Sequence, residues 1–102
     1  MSRRSYSVRL LPAAEDDLTE IILYIAADNP IAAEKLLQRI QKNLSLLSSN
    51  PKLGRVPREE LLARIGYRHL IVENYLIFYK IENRTIFVHR ILDGARDYLS
   101  LL

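Results

Sequence analysis

Two histidines, His69 and His89, stand in the second half of the chain. An imidazole suits proton transfer near neutral pH because its ordinary pKa lies there, and His89, in an apolar run near the chain end, is the natural candidate. The predicted hairpin register places His89 on the same sheet face as Lys80, but about 13 Å from it along the strands. That distance is too large for a catalytic pair, so we interpret His89 as a strand histidine beside Phe78 or Phe87.

Basic side chains are concentrated in the second half of the chain. Residues 1–51 hold six basic and six acidic side chains, whereas residues 52–102 hold nine basic and six acidic ones, and most of the nine are arginine. Arginine forms bidentate pairs with carboxylate and phosphate. The pattern predicts an anionic partner, either nucleic acid or an acidic protein surface; a solvated surface with a modest charge excess is the simpler alternative.

The composition argues against several kinds of site and protein. The chain has no cysteine, which excludes disulfides and thiolate metal sites, and its two histidines are too few and too far apart for a structural zinc site. No apolar run approaches the roughly 20 residues of a membrane helix, and no apolar stretch follows the basic N-terminus as in a secretory signal. Gly54 and Gly66 lack the spacing of a phosphate-binding loop and are interpreted as turn residues. We expect a cytoplasmic protein without a metal or cofactor.

The first half of the chain predicts a strand followed by a helical hairpin. Apolar and polar residues alternate over residues 5–10, as in a strand with one covered face. Pro12 and the acidic residues after it are typical of a helix start, Asn29-Pro30 separates two helices, and Asn50-Pro51 ends the second. Apolar stripes at helical spacing predict which sides pack. They are Ala14, Leu18, Ile21, Ile22 and Ile25 in the first helix, and Ala33, Leu37, Ile40, Leu44 and Leu47 in the second.

Residues 67–92 predict a three-stranded antiparallel meander, because β-rich runs at 67–72, 75–81 and 84–92 are separated by short polar turns. With Glu82-Asn83 as a two-residue turn, the predicted partners are Ile81 and Arg84, Tyr79 and Ile86, Ile77 and Val88, and Tyr75 and Arg90. The face toward the helices would contain Tyr75, Ile77, Tyr79, Ile81, Ile86 and Val88. The opposite face would contain Leu76, Phe78, Lys80, Thr85, Phe87, His89 and Ile91. It is too apolar to be left in water, so we expect either the C-terminal tail or a partner to cover it.

Residues 52–66 form the connection between the helices and the meander. The segment has no clean periodicity apart from a short helical turn predicted at residues 58–63, and loops of this length usually carry function or move. The 102 residues predict one α+β domain over residues 1–102: an N-terminal strand, an αα-hairpin, then a three-stranded antiparallel meander packed on the helices.

Four stretches carry a family resemblance: residues 12–18 (PAAEDDL), 50–55 (NPKLGR), 75–79 (YLIFY) and 90–97 (RILDGARD). Their order and spacing resemble the RelE/ParE toxin superfamily over nearly the whole chain. The match is closer to the ParE branch, which commonly shows a Tyr-x-Ile-Phe-Tyr strand and a closing Arg-Val/Ile-Leu-His-Gly-x-Arg-Asp segment. Asp93 stands where that segment usually has histidine, so no role is carried over to this position.

The resemblance implies a toxin of a type II toxin–antitoxin system, of the plasmid-stabilisation type, neutralised by an antitoxin encoded by an adjacent gene. RelE-like members cut mRNA on the ribosome, and ParE-like members poison DNA gyrase. Arg96 matches a RelE-like basic position and Arg68 falls near another. However, Leu76 replaces an arginine of the RelE-like nucleases, and Leu101-Leu102 replaces their C-terminal tyrosine.

From the resemblance and the placement of cations, we expect a gyrase-binding toxin without bond-breaking chemistry of its own. The expected target contacts are Arg55, Arg64, Arg68, Arg96 and Tyr98. The first alternative is a ribosome-dependent mRNA endoribonuclease that uses Arg68, His89 and Arg96. The second alternative is a degenerate member that is no longer toxic and survives as a binding module.

Overall fold

The computed structural model describes residues 5–95 and 98–102, in which a helical hairpin packs on a four-stranded sheet. In chain order the elements are β1 (Ser7–Leu10), α1 (Pro12–Asp28), α2 (Pro30–Ser49), α3 (Glu60–Arg64), β2 (Arg68–Val72), β3 (Tyr75–Glu82), β4 (Thr85–Asp93) and a 3₁₀ turn (Tyr98–Leu101). The strand order is β1-β4-β3-β2, with β1 parallel to β4 and the other neighbours antiparallel. The predicted α+β class and order of elements are confirmed. None of the helices in the described part of the chain has the length and apolar character needed to cross a membrane.

The helical hairpin begins and turns where local signals predict. Pro12 opens α1, and the side chain of Asn29 accepts a hydrogen bond of 3.1 Å from the Ala32 amide at the start of α2. Such a cap satisfies one of the free amides of the first helical turn. The predicted stripe of α1 packs against the core, with Ala14 fully buried.

One position of the predicted α2 stripe is wrong. Leu36 is buried, whereas Leu37 is only half-buried. Because α2 contacts the sheet as well as α1, its buried side includes a residue that a stripe facing α1 alone would leave out.

The predicted register of the last hairpin is also wrong, although its faces are right. Glu82 pairs with Thr85, so the turn is Asn83-Arg84, and Asn83 takes a φ of 55°, a conformation that asparagine tolerates. Tyr79 therefore pairs with Val88 rather than with Ile86. The slip is two residues, and since side chains alternate with a period of two, every side chain before the next irregularity keeps its predicted face.

That irregularity is a β-bulge at His89. Tyr79 pairs with Val88 but Phe78 pairs with Arg90, so His89 is an extra residue on β4. A bulge changes the alternation beyond it, and Ile91, predicted for the outer face, is buried in the cluster under the helices. The predicted contact of Arg90 with Tyr75 is wrong for the same reason, because Tyr75 pairs with Asp93.

The sheet has an apolar cluster on each side. The helix side contains the six predicted residues together with Ile91. On the outer side, Tyr98 and Leu101 of the 3₁₀ turn, together with Leu102 after it, pack against the cluster of Phe78 and Leu92. The C-terminal tail, one of the two coverings expected for this face, therefore packs on part of it.

Candidate functional site

The connection between α2 and β2 is held to the sheet by the hydroxyl of Tyr79. This oxygen accepts a hydrogen bond of 2.9 Å from the Gly54 amide and donates one of 2.8 Å to the Pro51 carbonyl. Gly54 is buried, and a Cβ there would lie 2.6 Å from the hydroxyl oxygen and 2.7 Å from the His69 carbonyl oxygen. Gly54 lies in a bend just after a turn, as expected, but the position needs glycine because there is no space for a side chain and not because of a positive φ. Gly66, with φ of 93°, is the turn glycine that was predicted.

Arg68, an expected target contact, is part of this anchor. Its Nη1 donates a hydrogen bond of 2.7 Å to the Gly54 carbonyl, and its strand partner is Tyr79. Burial raises the pKa of Tyr79, an effect that the Gly54 hydrogen bond and the Arg68 charge oppose. Arg68 is half-buried, and its geometry indicates a positioning role for the loop.

Arg55 and Arg64 are both exposed, as target contacts must be. The backbone of Arg55 exchanges two hydrogen bonds of 2.9 Å with His69, which fixes the loop against the edge of β2 and leaves the guanidinium outside. Arg64 is the last residue of α3, and its Nη2 lies 3.1 Å from Glu60 Oε1. Such an exposed ion pair contributes little to stability, so a carboxylate of a partner can take the place of Glu60.

Tyr98 ties the C-terminal tail to this region. Its hydroxyl donates a hydrogen bond of 2.7 Å to Glu59, just before α3, and its ring lies 5.1 Å from that of Phe78. The hydrogen bond to Glu59, then burial, raises the pKa of Tyr98. Arg96, the remaining expected contact, lies outside the described residues.

The two histidines are packed among aromatic rings on the outer face. The His89 ring meets the Tyr67 ring edge-on at 5.2 Å between ring centres, a neighbour that the sequence did not indicate. Tyr67 also lies edge-on to Phe78, at 6.2 Å. The Lys80 ammonium lies 4.6 Å from the same Tyr67 ring, so the two groups predicted to be too far apart share one neighbour. Burial, then the Lys80 charge, lowers the pKa of His89, and burial lowers the pKa of His69.

The described members of the alternative ribonuclease set do not converge. Arg68 lies beside Tyr79 on the helix side of the sheet, whereas His89 lies against Tyr67 on the outer side. A nuclease needs its cation and its proton-transfer group at one phosphate. The Arg68 guanidinium and the His89 imidazole therefore lie on different sides of the sheet and do not face a common site.

An ion pair that sequence reasoning missed joins α1 to β4. Arg90 donates to Asp17 through Nε at 2.7 Å and Nη2 at 2.8 Å, and Asp17 also accepts the Ile91 amide at 3.0 Å. The Arg90 Nη1 donates to the Leu101 carbonyl at 2.9 Å, so one guanidinium holds both α1 and the tail. The hydrogen bond to Asp17 raises the pKa of Arg90. Asp17 reads from sequence only as a helix-start acid, and nothing local indicates a partner 73 positions away.

The connection also presents apolar side chains to solvent between its arginines. We call this the 53–65 surface, and it contains Leu53, Arg55, Val56, Arg58, Leu61, Arg64 and Ile65. Its apolar members are 43–67% exposed. Exposed apolar groups with arginine among them are typical of protein–protein interfaces. The surface is therefore suited to binding a protein whose own surface is apolar and acidic.

Comparison with known proteins gives one family and a common fold. The sequence matches the family model of the ParE toxin of type II toxin–antitoxin systems, parDE, over residues 8–98. The fold is similar to that of a chain in the chromosomal ParDE toxin–antitoxin system from P. aeruginosa, with a TM-score of 0.72, 22% identity, and coverage of 89% of this chain and 98% of that chain. It is also similar to a chain of the RelBE2 toxin–antitoxin complex from Mycobacterium tuberculosis, with a TM-score of 0.62, 21% identity, and coverage of 93% and 98%. No curated protein sequence matches the chain.

Proposed function

Because the chain belongs to the ParE toxin family of type II toxin–antitoxin systems, we propose that it inhibits DNA gyrase by binding it through the 53–65 surface. The resemblance to the RelE/ParE superfamily, with the ParE branch closer, is confirmed, and the chain is the toxin component of such a system. Its protein partner is an antitoxin. The two similar structures come from toxin–antitoxin systems, which supports this pairing.

One observation favours binding of a target protein over cleavage of mRNA. Exposed arginines, Arg55 and Arg64, stand among exposed apolar groups on the connection, whereas Arg68 and His89 lie on different sides of the sheet. A surface of this kind can dock on a large protein, and mRNA cleavage would need a convergence that these residues lack. The proposal requires the protein to work in the cytoplasm, where gyrase acts.

Expression of the chain without its antitoxin tests the proposal in cells. Gyrase inhibition predicts DNA-damage signalling and altered plasmid supercoiling while messages stay intact. Immediate translation arrest with cleaved mRNA would overturn the proposal in favour of the ribonuclease alternative. Unimpaired growth at a verified protein level would overturn it in favour of a non-toxic binding module.

A further inference from the structure

A groove with acidic and tyrosine walls lies between α1 and the paired ends of β3 and β4. It has a volume of about 340 Å³, near the lower end for ligand-binding pockets. Ile21 and Ile91 supply apolar lining, and the polar lining includes the carboxylates of Glu20 and Asp93 and the rings of Tyr24 and Tyr75. The groove is separate from the 53–65 surface and shares no residue with it.

The groove follows from the helix period and the sheet register. Glu20, Ile21 and Tyr24 are spaced as neighbours on one side of α1, and Tyr75 pairs directly with Asp93 across the strands. Asp17 lines the same groove, but its oxygens are occupied by Arg90 and by the Ile91 amide. Asp93 accepts the Ala95 amide through Oδ1 at 2.9 Å, so the Glu20 carboxylate and the second oxygen of Asp93 remain for a ligand.

The electrostatic field in the groove favours a cation. Three carboxylates, those of Asp17, Glu20 and Asp93, line it, and the guanidinium beside them is that of Arg90, already paired with Asp17. Burial first, and then the charges of Asp93 and Glu73, raise the pKa of Tyr75. A tyrosine face next to a carboxylate binds ammonium and guanidinium groups through cation–π and charge-assisted contacts.

The surface extends beyond one side chain. Tyr24 is 83% exposed and also lines a second groove, with Asp28 and Ala32, at the tip of the helical hairpin. Glu20, Tyr24 and Asp28 recur every four residues along α1, a length of about 12 Å. Leu23, 65% exposed, adds apolar area beside them. These dimensions suit a peptide segment with basic and apolar side chains better than a small cation.

We propose that this α1 groove binds a segment of the antitoxin in which lysine or arginine side chains stand beside apolar ones. A basic side chain enters between Tyr24 and Tyr75, with its charge at Glu20 and Asp93 and its aliphatic stem on Ile21. The inference rests on the proposed function, because it names the antitoxin as occupant. It also separates the two partners by charge: the antitoxin segment is basic, and the gyrase surface that meets Arg55 and Arg64 is acidic.

Calorimetric titration with the protein encoded beside this gene tests the groove. The variant Glu20→Gln/Asp93→Asn removes the two negative charges offered to the ligand, and the side-chain oxygen of the new asparagine can still accept the Ala95 amide. The control Glu34→Gln/Glu82→Gln removes two exposed carboxylates elsewhere. We expect the groove variant to bind about tenfold more weakly and with a smaller salt dependence, and the control to bind as the wild type does. Equal affinity of both variants would overturn the groove assignment while leaving the antitoxin pairing intact. Thermal unfolding of each variant shows that the fold is retained.

Failure of the neighbouring protein to bind the wild type would instead contradict the proposed pairing, and the groove then needs an independent probe. A synthetic peptide of arginine and leucine, with a glutamate–leucine peptide as control, serves this purpose in amide chemical-shift mapping. Shifts at Glu20, Tyr24 and Asp93 with the basic peptide alone support a cation-binding groove. Shifts elsewhere, or none, would overturn it.

Discussion

Arg90 donates two hydrogen bonds to the Asp17 carboxylate, of 2.7 Å from Nε and 2.8 Å from Nη2, and this ion pair joins α1 to β4. Both side chains are mostly removed from solvent, with 23% and 12% of their surface exposed. The pair sits where β1 no longer accompanies β4, since β1 ends opposite Val88. Asp17 thus replaces a strand as the partner of the Ile91 amide.

The variant Asp17→Asn should lower the free energy of unfolding by about 2 kcal/mol, because it leaves a partly buried guanidinium without its counter-charge. Urea unfolding measures this loss. Asp16→Asn is the matched control, since Asp16 is exposed, and it should change stability by less than about 0.5 kcal/mol. Equal effects of the two variants would contradict the importance of the ion pair.

The variant Gly54→Ala should destabilise the protein by about 1–3 kcal/mol, the range for overpacking. The added Cβ would meet the Tyr79 hydroxyl and the backbone carbonyl of His69, and the latter cannot move aside. Gly94→Ala is the comparison and should cost less, because its added Cβ would lie 3.3 Å from the Asn74 carbonyl oxygen, against 2.6 Å from the nearest atom at position 54. Urea unfolding of both variants checks the prediction, and a neutral Gly54→Ala would show that the loop is not pinned as described.

Acid should destabilise the fold through its histidines. Burial lowers the pKa of His89 and of His69 from the ordinary value of 6.5, so the unfolded chain binds protons that the folded chain does not. Stability from this source is present above pH 6.5 and is lost as the pH falls below it. The free energy of unfolding, measured from neutral to mildly acidic pH, should therefore decrease less steeply with falling pH in His89→Phe than in the wild type. A parallel decline in wild type and variant would exclude His89 as a contributor.

The variant Tyr98→Ala should uncover Phe78 and Leu92 on the outer face and cost about 2 kcal/mol, less than a fully buried aromatic residue because Tyr98 is only half-buried. Increased binding of a hydrophobic dye should accompany the loss. Leu99→Ala is the control in the same turn, since Leu99 is 50% exposed. Dye binding that rises equally in both variants would contradict the covering role of Tyr98.

Local signals were enough to predict the helical hairpin, because Pro12, Asn29 and Pro30 act within one turn of where they stand. The faces of the sheet were also predictable, since a register slip of two residues does not change a pattern of period two. The bulge at His89 could not be predicted from the sequence pattern. Because of it, Ile91 and Arg90 have other neighbours than expected. Contacts such as Asp17 with Arg90 join distant segments, so they become visible only when the whole chain is folded.

Within the candidate site, exposure of Arg55 and Arg64 agreed with the expected role, and Arg68 proved to be committed to Gly54. The type of an arginine shows what it can bind, but not whether a nearby carbonyl already occupies it. The acidic α1 groove could not be predicted from the distribution of charge along the sequence. The residues that line the groove come from α1 in the first half of the chain and from Tyr75, Ile91 and Asp93 in the second half, where basic residues are in excess.

Inhibition of purified DNA gyrase in a supercoiling assay tests the central claim most directly. The wild type should inhibit, and Arg55→Ala/Arg64→Ala should need about tenfold more protein for the same effect, because arginines among apolar groups dominate interfaces. Arg9→Ala/Arg39→Ala, which removes two exposed arginines from β1 and α2, should inhibit as the wild type does. Absence of inhibition by the wild type, or equal inhibition by both double variants, would contradict binding of gyrase through the 53–65 surface.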